Sequence, residues 1–347
     1  MNTIEKLLDK SNSQSLDQWR DHLKQQVSRL DTLFYHNGAL TQTLTAGFTE
    51  AASLIVMAEQ FNTQQLSNLL TLLNLEQVQS VRLYAPQIIE SITVMRFTIS
   101  AKPAYLKASL DAFAKENMMD FALMDNFPDW QKPGLVLMDM DSTTIQIECI
   151  DEIARLYGVG EQVSAVTELA MQGKLDFNES LRTRVAKLAG APISILNDVA
   201  DSMPLMPGLL DLIKGLKKAG WKVAIASGGF TYFADRLKAD HGFDYVIANT
   251  LEINEQRLTG QVIGEIVNAS VKASTLEKLA AHYNIPMSQT VAIGDGANDL
   301  LMLAASALGI AIHAKPIVQE NAAVSLNHLD LQGALCLLSA SSSKDNW

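Results

Sequence analysis

The chain has 347 residues, 48% of them hydrophobic and 19% charged, the balance of a soluble globular protein with room for two or three domains. Its formal net charge of −11 excludes non-specific attraction to nucleic acid or an anionic membrane, so neither partner is expected. Two cysteines, Cys149 and Cys336, form no disulfide framework and read as small buried apolar residues. Six histidines without helical or finger spacing leave zinc a poor candidate.

In chain order, the first residues carry no basic stretch followed by an apolar core, so no signal peptide is expected and the reading is cytoplasmic. A helical leader is predicted over about 17–35. An apolar run over 51–59 predicts a strand, and Leu66, Leu69, Leu70 and Leu73 predict a helix over 63–73. Strands follow over 78–84 and 91–100, then a helix over 105–117. This strand–helix–strand–strand–helix order predicts a small α+β domain over 1–130, considered as a regulatory module and as the site of a homodimer contact. Pro128, Pro133 and Gly134 punctuate its end.

From Leu135 the pattern becomes short apolar strands alternating with helices. Strands are predicted over 135–138, 222–226, 245–248, 290–293 and 308–312, and continuous apolar strands of this kind imply a parallel sheet covered on both faces. The polar helical stretch 149–203 is too long for one crossover and predicts an inserted helical cap, and 251–267 reads as a β-hairpin. The catalytic domain would span 131–345. The apolar run 300–312 is too short to cross a bilayer and reads as a buried helix followed by a strand.

The chemistry lies at strand ends. Leu137-Met138-Asp139-Met140-Asp141-Ser142-Thr143 is an apolar strand closing on two carboxylates. In an open α/β sheet, ligands gather at the carboxyl ends of strands, and acids placed there are costly without a compensating cation. Alone, the stretch has a lesser alternative reading, a helix N-terminus with Asp141 or Ser142 as cap. Ser227-Gly228-Gly229 ends a second strand and can offer backbone N–H groups to a phosphate, although it is also an ordinary turn. Gly294-Asp295-Gly296-Ala297-Asn298-Asp299 ends another and favours a hard cation such as Mg2+. Three polar strand ends in one sheet are harder to assign to turns than any one of them. A lone lysine such as Lys272 reads by itself as a solvated surface charge.

Asp139 to Thr143, Ser227, Lys272 and Gly294 to Asp299 resemble, in order, the four motifs of the haloacid dehalogenase (HAD) superfamily. The likeness covers about residues 133–339. The stretches 139–154, 171–185 and 224–230 are similar to its branch acting on O-phosphoserine, in the bacterial form with an N-terminal extension. The resemblance implies an α/β fold, a HAD-like Rossmannoid parallel sheet with an inserted helical cap, plus an N-terminal α+β (ACT-like) domain. It further implies Asp139 as nucleophile, Asp141 as general acid and base, and Mg2+ held by Asp139, the Asp141 backbone carbonyl and Asp295. Ser227, Gly228, Lys272 and Asn298 would contact the phosphoryl group, and Asp299 would orient Asp295 or Lys272. Glu148 would read the substrate's ammonium and Arg184 its carboxylate. Thr143 has a supporting place, and Met171 and Phe177 would supply apolar walls. Arg182 is expected at the surface.

The implied activity is Mg2+-dependent hydrolysis of O-phosphoserine, the last step of serine biosynthesis. Two alternatives share the motifs: phosphoryl transfer to a second alcohol, and hydrolysis of another small phosphomonoester. An amino-acid-binding regulatory protein with an inactive phosphatase domain would lack Asp139, Asp141 or Asp295, all of which are present.

Overall fold

A computed structural model describes residues 13–26, 32–36, 38–42 and 48–341, the side chain of Met171 excepted. The chain forms two compact units, Met1–Gln131 with Ala323–Trp347, and Lys132–Ala322.

The first unit opens with α1 (Leu16–Gln26), β1 (Leu33–His36), β2 (Ala39–Thr41), β3 (Ala52–Ala58) and α2 (Thr63–Leu75). β4 (Ser80–Leu83), β5 (Gln87–Ile89), β6 (Ile92–Ile99), α3 (Leu106–Asn117) and β7 (Asp120–Met124) follow. Leu54, Val56 and Ala58 of β3 and Met95, Phe97 and Ile99 of β6 point to one face, as the two-residue period of a strand requires. There they bury Leu66, Leu69, Leu70 and Leu73 of α2, with Leu106 and Leu110 of α3 and Trp19 of α1. α2 starts at a reciprocal cap, in which Asn62 Oδ1 accepts from Gln65 N at 2.9 Å and Gln65 Oε1 from Asn62 N at 3.1 Å.

The predicted leader helix over 17–35 is shorter than expected. It ends at Gln26. Leu33-Phe34-Tyr35-His36 is instead a strand paired antiparallel with β4, as suits a run with two aromatic residues; residues 27–31 lie outside the described residues.

The second unit begins with β8 (Leu135–Met138) and the cap helices α4 (Cys149–Tyr157), α5 (Gly160–Met171), α6 (Phe177–Ala186) and α7 (Ser194–Asp201). It continues through α8 (Leu209–Lys218), β9 (Lys222–Phe230), α9 (Thr231–His241), β10 (Tyr245–Asn254), β11 (Arg257–Ile263) and α10 (Ala269–His282). It closes with β12 (Thr290–Gly294), α11 (Leu300–Ala305), β13 (Leu308–Ile312) and α12 (Pro316–Asn321). The strands lie in the order β11-β10-β9-β8-β12-β13. Neighbours are parallel except for the β10–β11 hairpin. Every residue of β8, β12 and β13 is buried, which is why these strands are apolar without alternation. In the central register Met138 stands between Ile225 and Ile293, so the carboxyl ends of β8, β9 and β12 open at one edge of the sheet.

The last part of the chain departs from the expected division. Residues 323–341 group with the first unit rather than with the catalytic one. β14 (Val324–Leu326) pairs antiparallel with β7, and α13 (Leu331–Ala340) packs on β3 and β6. The physical cause is composition: Leu331, Ala334, Leu335, Cys336, Leu337 and Leu338 leave α13 only a narrow polar stripe at Gln332 and Ser339, so most of the helix must be covered. Both cysteines are free and buried, as expected. No described helix is long and apolar enough to cross a membrane.

Candidate active site

At the end of β8 the chain turns sharply. The N–H groups of Thr143, Thr144 and Ile145 converge on the Met140 carbonyl at 3.3, 2.8 and 3.0 Å, and Thr144 Oγ1 donates to the Asp139 carbonyl at 2.5 Å. Asp139 N donates to Ile293 O at 2.9 Å, which ties the Asp139 backbone to β12. Its Oδ1 accepts from Met140 N at 2.7 Å and pairs with Lys272 Nζ at 2.8 Å. Among the described residues these bonds engage only Oδ1.

Lys272 is wholly enclosed and also pairs with Asp299 Oδ1 at 2.8 Å. Burial opposes its charge, but Asp139 and Asp299 outweigh it and hold the ammonium above its usual pKa. Lys272 lies in the first turn of α10, which Asn268 caps through Ser270 N and Val271 N. Of the two partners expected for Asp299, it contacts Lys272 through Oδ1, and its Oδ2 accepts from Gly296 N at 3.0 Å.

Asp139, Asp295 and Asp299 place carboxylate oxygens within 4.8 Å of one another. Both oxygens of Asp299 are already engaged, which leaves Asp139 and Asp295 as the side chains for a metal ion. Thr143 Oγ1 donates to Asp295 Oδ1 at 3.1 Å. Burial, and then the neighbouring Asp139, push Asp295 up to about 6. Hard oxygen donors carrying excess negative charge fit a Mg2+ ion. The Asp141 carboxylate is outside this group. It is half-buried in the cleft wall, and desolvation, Glu148 and Asp139 raise its pKa well above the usual range.

A cleft of about 670 Å³ opens onto these groups and is lined by Asp139, Asp141, Glu148, Phe177, Arg184, Ser227, Gly228, Asp295 and Asn298, among others. Lys272, Thr143 and Asp299 stand behind its wall. Ser227 Oγ accepts from Gly229 N at 2.8 Å, which leaves the hydroxyl hydrogen to donate. Close approach excludes side chains here: a Cβ on Gly228 would lie 2.8 Å from Phe177 Cζ, and one on Gly229 2.7 Å from Asp141 Oδ2. Asn249, which the sequence reading missed, is buried between segments; its Nδ2 donates to Gly228 O at 2.8 Å and its Oδ1 accepts from Val267 N at 2.9 Å.

From the cap, Glu148 and Arg184 face the same cleft. Burial raises Glu148 and lowers Arg184, and each charge offsets part of the other's shift. Arg184 Nε is buried with no hydrogen-bond acceptor among the described residues. Arg182 is exposed, as expected. The Met171 side chain lies outside the described residues. Asp151 and Lys315 also line the cleft and were not anticipated. Lys315 follows β13, another parallel strand end, and that position was the signal available for it.

The haloacid dehalogenase-like hydrolase family matches residues 136–304. The phosphoserine phosphatase of Vibrio cholerae serotype O1 is 51% identical over 253 residues, covering 73% of this chain and 77% of that protein. The crystal structure of a probable phosphoserine phosphatase from Vibrio cholerae, in unliganded form, superposes with a TM-score of 0.73 at 46% identity, covering 83% of this chain and 87% of that one. A substrate-bound phosphoserine phosphatase complex gives a TM-score of 0.57 at 41% identity, covering 60% of this chain and 99% of that one. With strand-end carboxylates, an enclosed lysine and a helical cap over the cleft, the chain belongs to the phosphoserine phosphatase family of haloacid dehalogenase-like hydrolases.

Proposed function

We propose that the enzyme hydrolyses O-phosphoserine to serine and phosphate through an aspartyl-phosphate on Asp139, in the cytoplasm, as the step that completes serine synthesis. The observation that carries this reading is the state of Asp139: Oδ1 is held by Met140 N and Lys272 Nζ, which leaves Oδ2 to attack. A phosphate monoester dianion repels an anionic nucleophile, so positioning and charge neutralisation supply most of the catalysis.

In the first half-reaction Asp139 Oδ2 forms a bond to phosphorus in line with the departing ester oxygen. Asp141, whose pKa is raised by desolvation and the neighbouring acids, delivers its proton to the serine oxygen as the P–O bond breaks. In the second half-reaction the Asp141 carboxylate takes a proton from water, the water oxygen attacks phosphorus, and Asp139 leaves as a free carboxylate. The Ser227 hydroxyl, the Gly228 N–H and Asn298 bind the non-bridging oxygens, while Lys272 holds the nucleophile's other oxygen in place. Mg2+ would be held by the carboxylates of Asp139 and Asp295 and the backbone carbonyl of Asp141, and when bound it supplies neutralising charge between nucleophile and phosphate. Glu148 pairs with the substrate ammonium and Arg184 with its carboxylate, while Phe177 excludes water from the closed cleft.

Phosphate release from a panel of phosphomonoesters, with Mg2+ and with a chelator, tests the reading. O-phosphoserine should be the preferred substrate, and Asp139→Asn, nearly isosteric but uncharged, should abolish turnover. Surviving activity in that variant would refute the covalent route.

A further inference from the structure

Ser142 sits in the turn between Asp141 and Thr143 but does not line the cleft. Its φ is +55°, in the left-handed region where a side chain crowds its own backbone and glycine is at ease. The turn holds it there, with Ser142 N donating to Ile147 O at 3.3 Å. A glycine would meet the backbone requirement without strain, so what the serine adds is its hydroxyl. That hydroxyl donates to Glu148 Oε1 at 2.8 Å, across six positions of chain. Glu148 is the N-cap residue of α4, yet its side chain accepts nothing from that helix's N–H groups. Its carboxylate is therefore not committed to capping.

We propose that Ser142 is a positioning residue, which fixes one Glu148 oxygen so that the other is presented to the substrate's ammonium. The proposal rests on the reading of Glu148 given above. A carboxylate on a flexible stem loses rotamer freedom on binding an ammonium, and a hydroxyl that holds it beforehand lowers that cost. The strained turn is what brings positions 142 and 148 together. Ser142 thus acts on substrate choice through Glu148, without touching the reacting atoms.

Steady-state kinetics on two esters test this: O-phosphoserine, and 3-phosphooxypropanoate, the same ester with hydrogen in place of the amino group. Ser142→Gly removes the hydroxyl and relieves the backbone, whereas Ser142→Ala removes the hydroxyl alone, so a folding defect does not account for a loss common to both. KM for phosphoserine should rise about tenfold in both variants, as for loss of a hydrogen bond to a charged group, with a much smaller change for the amine-free ester. Glu148→Gln should show the same split, more strongly. Equal rises on both esters would overturn the role of Ser142. So would an unchanged KM in the Ser142 variants while Glu148→Gln raises it, and Glu148's own reading would then stand. If Glu148→Gln leaves KM for phosphoserine unchanged, the reading of Glu148 fails, and the proposal with it.

Discussion

Lys272 Nζ lies 2.8 Å from Asp139 Oδ1, with the lysine fully enclosed and the aspartate nearly so at the cleft floor. The same nitrogen is shared with Asp299 at 2.8 Å. One cation between two carboxylates gains from both, while each acid must divide a single partner and also feels the other acid. This explains why Lys272 is held charged even as burial and Asp139 push Asp299 up to about 7. The arrangement orients the Asp139 carboxylate, and its contribution to stability is conditional on all three members being present.

Removing only the lysine should expose that condition. Lys272→Met leaves two buried acids without their cation and is expected to cost about 3–5 kcal/mol. Adding Asp299→Asn removes one of those acids, so the double variant should recover about 1–3 kcal/mol of that loss. Urea unfolding of both single variants and the double gives the coupling; simple additivity would contradict the shared-cation picture.

Arg184 should decide whether a carboxylate on the substrate matters. Its guanidinium is largely buried beside Glu148, and its Nε lacks an acceptor among the described residues. Arg184→Ala is expected to raise KM for O-phosphoserine by on the order of a hundredfold, the scale of losing a charge-assisted bidentate pair. O-phosphoethanolamine, which has the ammonium and no carboxylate, should be affected far less. Equal losses on the two esters would remove Arg184 from the role of carboxylate reader.

The acids at the ends of β8 and β12 were legible because a carboxylate closing an apolar run is hard to explain otherwise, and the structure brings Asp139 and Asp295 together. Lys272 was legible only through its motif, since nothing local distinguishes an enclosed lysine from a surface one. Asn249 lacked a signal in spacing or composition, because it owes its place to distant segments meeting, whereas Lys315 was signalled only by following a parallel strand and Ser142 only by lying inside the Asp139 to Thr143 motif. In the first unit, β3 and α2 were plain from periodicity. β1 was misread as helix, since four residues carry too little pattern to mark a strand. The grouping of residues 323–341 with that unit depends on contacts across more than two hundred positions, which no local window contains.

The metal-free site should be sensitive to pH in a stated direction. Burial and Asp139 raise Asp295 from 3.8 to about 6, so the folded state binds this proton more tightly than the unfolded state does. Stability from this group is fully present below about pH 4 and falls as pH rises towards 6, by roughly 3 kcal/mol, then levels off. Glu148 and Asp141 are raised as well and act in the same direction. Mg2+ should therefore stabilise more at pH 7.5 than at pH 5. Chemical denaturation with chelator and with Mg2+ across that range measures the gap, and a gap that narrows as pH rises would contradict the charge assignment.

Asp120 supplies a test far from the cleft. Its carboxylate accepts from Asn327 N at 2.8 Å, His328 N at 3.1 Å and Leu329 N at 2.7 Å, and so anchors the turn between β14 and α13. Burial raises its pKa while those three N–H groups pull it down. Asp120→Ala would leave three backbone donors without their acceptor at a mostly buried place, with an expected cost of about 2–4 kcal/mol. Asp120→Asn keeps one carbonyl oxygen but loses the charge, and should cost less. Hydrogen exchange at Asn327, His328 and Leu329 gives a local readout, since their protection should drop in the alanine variant. Unchanged protection and unchanged stability would mean that the apolar cover of α13 alone holds this segment on β7 and β3.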